Sequence, residues 1–237
     1  MSKFIKLTGG RFDFKRDTFT AQDGCCFDII FFNHASLAIS TDDYIIYVDP
    51  VMMFAPYAEL PKADIIAITH SHSDHLDVQA VEALMEPSTQ IICCKSSAEI
   101  LAREVLMVAH GSQLSPINGL RVEGVAAYNT SPSKLQFHPA SREDCGFIFT
   151  IGGNRIYVAG DTEPTPEMLA LQGLDIVMLP VNQPYTMTED QAVSAIKSLR
   201  PRVFYPYHTG QVEHVTDVEQ IKRELEGVCE VRLRGME

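Results

Sequence analysis

The sequence predicts an α/β protein, a four-layer αββα sandwich built as one domain over residues 1–237. Three observations lead there. Short apolar runs alternate with amphipathic helical segments, the pattern of sheets covered by helices. Twice along the chain a stretch of successive strands leads into a stretch where helices separate the strands, so the sequence reads as two similar halves packed sheet on sheet. No low-complexity linker or block of like charge divides them.

The elements follow in order. "FDIIFFNHASLAIS" and "YIIYVDP" are rich in β-branched and aromatic residues and are joined by a turn at Asp42-Asp43, so they read as strands. "ADIIAI" (63–68) and "QIICCK" (90–95) are short continuous apolar runs, as expected for strands covered on both faces. "VQAVEALM" (78–85) is a helix, and "SSAEILAREVL" (96–106) is a second one opened by a Ser96/Glu99 capping box. "GLRVEGVAAYN" (119–129) is a strand, and "CGFIFTIGGNRIYVAGD" (145–161) is a hairpin turning at Gly152-Gly153-Asn154. Thr165-Pro166 starts a short helix. "LDIVMLPV" and "RVFYPYH" are strands. Between and after them lie two helices, one with a Thr188/Gln191 box and one with a Thr216/Glu219 box and Gly227 at its end. "CEVRLR" closes the chain as a strand.

Composition bounds the function. Of 237 residues, 46% are hydrophobic and 21% charged, the balance of a soluble globular protein. No apolar run approaches the ~18 residues of a membrane span, and the N-terminal segment has no secretory h-region, so a cytoplasmic protein with no membrane partner is expected. A net charge of −12 disfavours nucleic acid as a partner and leaves a small-molecule substrate, because bound cations override the global sign locally. The six cysteines form no C-x-x-C pattern, and Cys93 and Cys94 sit in an apolar run, so they read as reduced thiols.

The chemistry gathers at strand ends. "ADIIAIT" runs into His70, followed by His72, Asp74 and His75; "RIYVAG" runs into Asp161; "RVFYPY" runs into His208; "GLRVEGVAAY" runs into Asn129, and the loop beyond carries His138. Loops at the carboxyl ends of strands are where α/β folds place their sites. Imidazole with carboxylate suits zinc, manganese and iron(II). His70 and His72 can grip one ion, provided the segment is extended and sends both rings to one side. Asp74 and His75, at the start of the following helix, can grip a second ion with His208, and the two oxygens of Asp161 can bridge the pair. Two ions about 3.5–4 Å apart activate a water for hydrolysis.

The stretch "THSHSDHLD" (69–77) resembles the H-x-H-x-D-H signature of the metallo-β-lactamase-fold hydrolases. The resemblance extends over nearly the whole chain: "FFNHASLAI" with "YIIYVDP", "RIYVAGDTE", "LPVNQPYTMTEDQA" and "YPYHTG" are similar to motifs of the branch that includes ascorbate-phosphate lactonase-like and N-acyl-phosphatidylethanolamine phospholipase-like proteins.

This resemblance implies the metallo-β-lactamase fold and a dinuclear centre of divalent transition metals, zinc or manganese, with iron as a further option. His70 and His72 belong to the first metal; Asp74, His75 and His208 belong to the second; Asp161 bridges; Asp74 also steers the attacking water or takes its proton. The third imidazole of the first metal is expected before the "RIYVAGD" hairpin strand. His138 is the only histidine in that loop, and Asn129 is the alternative donor. His34, before Ala35-Ser36, and Tyr185 are expected to line the substrate site.

The implied activity is hydrolysis of an ester-like bond, in a lactone, phosphodiester or similar small substrate, by metal-bound hydroxide. Two alternatives stay open: a metal-binding protein of the same fold without hydrolase activity, and a dinuclear-iron redox protein. The resemblance is also compatible with a homo-oligomer.

Overall fold

The apolar runs become strands because each residue of a run finds a covered face, and the polar punctuation becomes the turns between them. The computed structural model describes residues 1–210 and 214–237, in two compact units, Met1–Met107 and Val108–Glu237.

The first unit contains α1 (Lys3–Thr8), β1 (Lys15–Thr20), β2 (Cys26–Asn33), β3 (Ser36–Ser40), β4 (Ile45–Val48), β5 (Ile65–Ile68), α2 (Val78–Leu84), β6 (Gln90–Cys93), α3 (Lys95–Leu101) and β7 (Leu106–Met107). Its strands lie in sequence order in one seven-stranded sheet. β1 to β4 pair antiparallel, and β4 to β7 pair parallel. Parallel neighbours need crossovers, and α2 and α3 supply two of them. All four residues of β5 are buried, as the unbroken run Ile65–Ile68 requires. Phe4, Tyr47, Tyr57, Ile66, Ile68, Leu84 and Ile91 form the core beneath the helices.

The second unit repeats the plan. It contains β8 (Gln113–Leu114), β9 (Leu120–Ala126), β10 (Cys145–Ile151), β11 (Asn154–Val158), α4 (Pro166–Leu169), β12 (Ile176–Val181), α5 (Glu189–Leu199), β13 (Val203–Thr209), α6 (Val218–Glu224) and β14 (Glu230–Val231). The strands again lie in chain order, antiparallel from β8 to β11 and parallel from β11 to β14. Tyr157, Val177, Leu179, Ile196, Phe204 and Ile221 are central to its core.

Several local expectations hold and two are corrected. The β10–β11 hairpin turns on Gly152 and Gly153, both with positive φ. Thr165 caps α4 with Pro166 at its first turn, and the Thr188/Gln191 capping box opens α5. The Ser96/Glu99 box does not form. Helix α3 runs Lys95–Leu101, with Cys94, two residues before Ser96, at the cap position and no side-chain cap bond, and Leu106 at the end of the stretch read as helix falls in β7. The cap of α6 is Asp217 rather than Thr216: Asp217 accepts from Gln220 N at 2.8 Å, while the Thr216 hydroxyl donates to the Val181 carbonyl at 2.6 Å. Helix α1 and strand β1 carry no clear pattern in the sequence and are additions. Among the described residues no helix is long and apolar enough to cross a membrane.

Candidate metal centre

In the first unit the donors sit on the connection from β5 to α2. The chain leaves the strand at Thr69 and turns at once, His75 N donating to the His72 carbonyl at 3.0 Å and Leu76 N to the same oxygen at 2.8 Å. Asp77 then caps α2, its Oδ1 accepting from Gln79 N and Ala80 N. The strand ends at Ile68, so the His70–His72 segment lies beyond it, and Asp74 and His75 lie in the turn before the helix rather than at its start. The convergence survives: His70 Nε2 and His72 Nδ1 are 3.1 Å apart.

Asp49, at the end of β4, orients this loop. It is fully buried. Its Oδ1 accepts from Thr69 N at 2.8 Å, and its Oδ2 accepts from the Thr69 hydroxyl at 2.6 Å and lies 2.8 Å from His75 Nδ1. A carboxylate only accepts, so the ring proton of His75 belongs on Nδ1, which leaves Nε2 as a ligand atom. Sequence reasoning passed over Asp49, although its place at the end of "YIIYV" repeats the signal that marked the other residues.

His34 lies between β2 and β3. Its Nε2 is 3.2 Å from Asp74 Oδ2, and its ring stacks on Phe54 at 5.3 Å. One donor atom from each of His34, Asp74 and His75 lies within 4.8 Å of the others, so His34 stands at ligand distance from that pair.

In the second unit Asp161 follows β11 through Gly160, whose φ of 65° turns the chain out of the strand at little cost. The buried Asp161 places Oδ2 3.4 Å from His138 Nε2 and 3.4 Å from His208 Nε2. His208 is near the end of β13. Its Nδ1 contacts the Asn182 side-chain amide at 3.0 Å. The orientation of such an amide is set by its network. As placed, Asn182 Nδ2 faces Nδ1; exchanging the amide's oxygen and nitrogen lets the oxygen accept the Nδ1 proton and leaves Nε2 as a ligand atom.

His34, Asp49 and His208 all have positive φ, at 54°, 45° and 47°. Outside glycine this conformation costs roughly 1–2 kcal/mol per residue. Ala102, Glu143 and Arg200 adopt it as helix C-caps, whereas His34, Asp49 and His208 adopt it at the donors and their carboxylate support, where such strain is a mark of a functional site.

His138 arrives on a loop of turns after β9 and is only 2% exposed. Asn129 spends its two amide hydrogens on the Lys134 and Tyr185 carbonyls, at 3.0 and 2.8 Å, and its N–H donates to the His138 carbonyl at 2.8 Å. The ring of Tyr185 meets Phe137 edge-on at 5.0 Å, beside this loop. Glu163, also unassigned from the sequence, is a buried carboxylate under the same loop. Burial alone would raise its pKa, but the Ser131 N–H, the Gln191 side chain, the Ser131 hydroxyl and the Thr130 N–H outweigh that and hold it at about 2. His110 and His214 are exposed.

Two donors bound to one tetrahedral zinc at about 2.0–2.1 Å stand roughly 3.3 Å apart. The 3.1 Å of the His70–His72 pair and the 3.4 Å from Asp161 to each imidazole match that spacing. Imidazoles backed by carboxylate or amide partners are also the chemistry that transition-metal ions select. The donors present in each unit therefore fit such ions.

Comparisons with known proteins agree. Residues 28–208 match the family described as "Beta-lactamase superfamily domain". A UPF0173 metal-dependent hydrolase of Archaeoglobus fulgidus is 32% identical over 184 residues, covering 69% of this chain and 75% of that one. The crystal structure of a protein from Parabacteroides distasonis, assigned as a metal-dependent hydrolase, superposes with a TM-score of 0.89 at 40% identity, covering 94% of this chain and all of that one. The metallo-β-lactamase fold protein YhfI of Bacillus subtilis, 12% identical, superposes with a TM-score of 0.67 over 85% of this chain and 88% of its own. That likeness shows the fold alone, and it is the fold class expected from the sequence.

Proposed function

Because the chain belongs to the β-lactamase superfamily and is a metal-dependent hydrolase, we propose that it binds two divalent transition-metal ions and hydrolyses an ester-like bond of a small substrate. Zinc and manganese suit the donors best, with iron third. The ligand assignment is the one the motifs imply: His70, His72 and His138 for the first ion; Asp74, His75 and His208 for the second; Asp161 for both. It rests on that motif pattern and on the donor chemistry within each unit.

The observation that carries the reading is Asp161 Oδ2, 3.4 Å from both His138 Nε2 and His208 Nε2. One carboxylate oxygen shared by two imidazoles suits a ligand that serves two ions. Bound metals supply Lewis acidity and activate water near neutral pH. The chain's own residues do the rest. Asp49 holds the ring proton of His75 on Nδ1, and the Asn182 amide orients the ring of His208. Asp74, whose side chain is 44% exposed, accepts the proton of the attacking water. His34 and Tyr185 contact substrate. The net charge of −12 supports a small-molecule substrate over a nucleic acid.

The test is a hydrolase panel of lactones, phosphodiesters and thioesters, run with zinc- or manganese-reconstituted protein. Turnover of at least one class is expected, abolished by chelation and by Asp161→Asn. A protein that holds its metals yet turns over no member of the panel favours the non-catalytic reading.

A further inference from the structure

We infer that Glu163 is a positioning residue for the metal centre: its buried carboxylate fixes the loop that delivers His138, and so sets the affinity of the ion that His138 serves. The inference rests on the function proposed above and assigns a role to a residue outside its ligand set.

The loop from Asn129 to His138 has no regular secondary structure, so its backbone donors need partners from elsewhere. Glu163 supplies them. Its Oε2 accepts from Thr130 N at 2.8 Å, from Ser131 N at 2.6 Å and from the Thr130 hydroxyl at 3.4 Å. Its Oε1 accepts from the Ser131 hydroxyl at 2.7 Å and from Gln191 Nε2 at 3.0 Å, and lies 3.2 Å from Lys134 Nζ. Lys134 in turn donates to the Thr186 carbonyl at 2.7 Å.

These contacts tie the start and middle of the loop to one point. The Asn129–His138 backbone bond closes the loop, so a fixed start also fixes the end that carries His138. Asp161 and Glu163 are two residues apart in one short segment after β11. The same short segment therefore places a proposed bridging carboxylate and anchors the loop bearing the imidazole beside it. Every group facing Glu163 donates, so only a carboxylate satisfies them all. Glutamine would turn an NH2 toward donors.

The test compares full-length wild type, Glu163→Gln and Ser131→Ala, titrated with cobalt(II) and zinc(II). Visible absorption of bound cobalt, chelator competition for zinc, and far-UV circular dichroism are read together. For Glu163→Gln the affinity of one ion should fall at least tenfold and that of the other by less than twofold, with an altered cobalt spectrum and unchanged secondary structure. Ser131→Ala, which removes a single contact, should weaken the same ion by a few fold, and it decides the matter should Glu163→Gln fail to fold. Ile196→Val, a core substitution in α5, should leave both affinities unchanged and so separates positioning from general destabilisation. Equal weakening of both ions, or unchanged affinities in the variants, would overturn the positioning role and leave the proposed function standing. Wild-type protein that takes up no metal would overturn both.

Discussion

Asp49 Oδ2 lies 2.8 Å from His75 Nδ1, and both side chains are wholly buried. The carboxylate fixes the ring's orientation and its tautomer together, and a second contact, from the Thr69 hydroxyl, ties the pair to the end of β5. Carboxylate partners of this kind typically contribute 10–100-fold to metal affinity. Asp49→Asn should therefore lower the affinity for at least one ion by about that factor, measured by competition with a chromophoric chelator. Unchanged affinity would make Asp49 a purely structural residue.

Asn182 plays the matching part for His208, and its own position depends on a glycine. A Cβ on Gly210 would fall 1.7 Å from one end of the Asn182 amide and 2.6 Å from its carbon, so Gly210→Ala must displace the amide. Gly210→Ala and Asn182→Ala should both weaken the ion served by His208, each by about 10–100-fold. If zinc titration shows both variants binding like wild type, the amide does not orient His208.

Much of this was legible in the sequence because the signals are local. Ile65–Ile68 reads as a buried strand from its own letters, and the Thr188/Gln191 box needs only a spacing of three. The cluster His70, His72, Asp74 and His75 is conspicuous because donors are dense there. Helix α1 was not legible: at six residues it is too short to show a period, and helices of that length are held by tertiary packing, here the burial of Phe4. The Ser96/Glu99 spacing misled because the backbone of α3 starts one residue before it. Glu163 was hidden for another reason, and Asp49 carried the strand-end signal without the partner that gives it a role. Each is a lone acid whose role depends on a partner far along the chain, 26 residues away for Asp49 with His75 and 32 for Glu163 with Ser131.

His138 and Asn129 are separated by their own variants. His138→Ala should lower the metal content by about one ion per chain, because Asp74, His75 and His208 remain for the other. Asn129→Ala should leave the stoichiometry intact and weaken binding only through the loop that Asn129 braces at the Lys134 and Tyr185 carbonyls. Elemental analysis that shows the reverse pattern would make Asn129 the ligand.

Cys25 is exposed, yet desolvation and then the hydrogen bond to Asp23 raise its thiol to about 11. A raised thiol pKa keeps the group protonated at neutral pH, and only the thiolate reacts. Alkylation of Cys25 by iodoacetamide, followed by peptide mapping, should be slow at pH 7 and rise about tenfold per pH unit toward pH 10. A rate that levels off near pH 9 would contradict a thiol raised by desolvation and by Asp23.

The most direct test of a dinuclear centre is the metal content of wild-type protein reconstituted with zinc or manganese, dialysed against metal-free buffer and measured by elemental analysis beside Asp161→Ala. About two ions per chain are expected for wild type, with a clear loss in the variant while its circular dichroism stays native. Wild type that retains one ion or none, or Asp161→Ala that retains two, would contradict a centre bridged by Asp161.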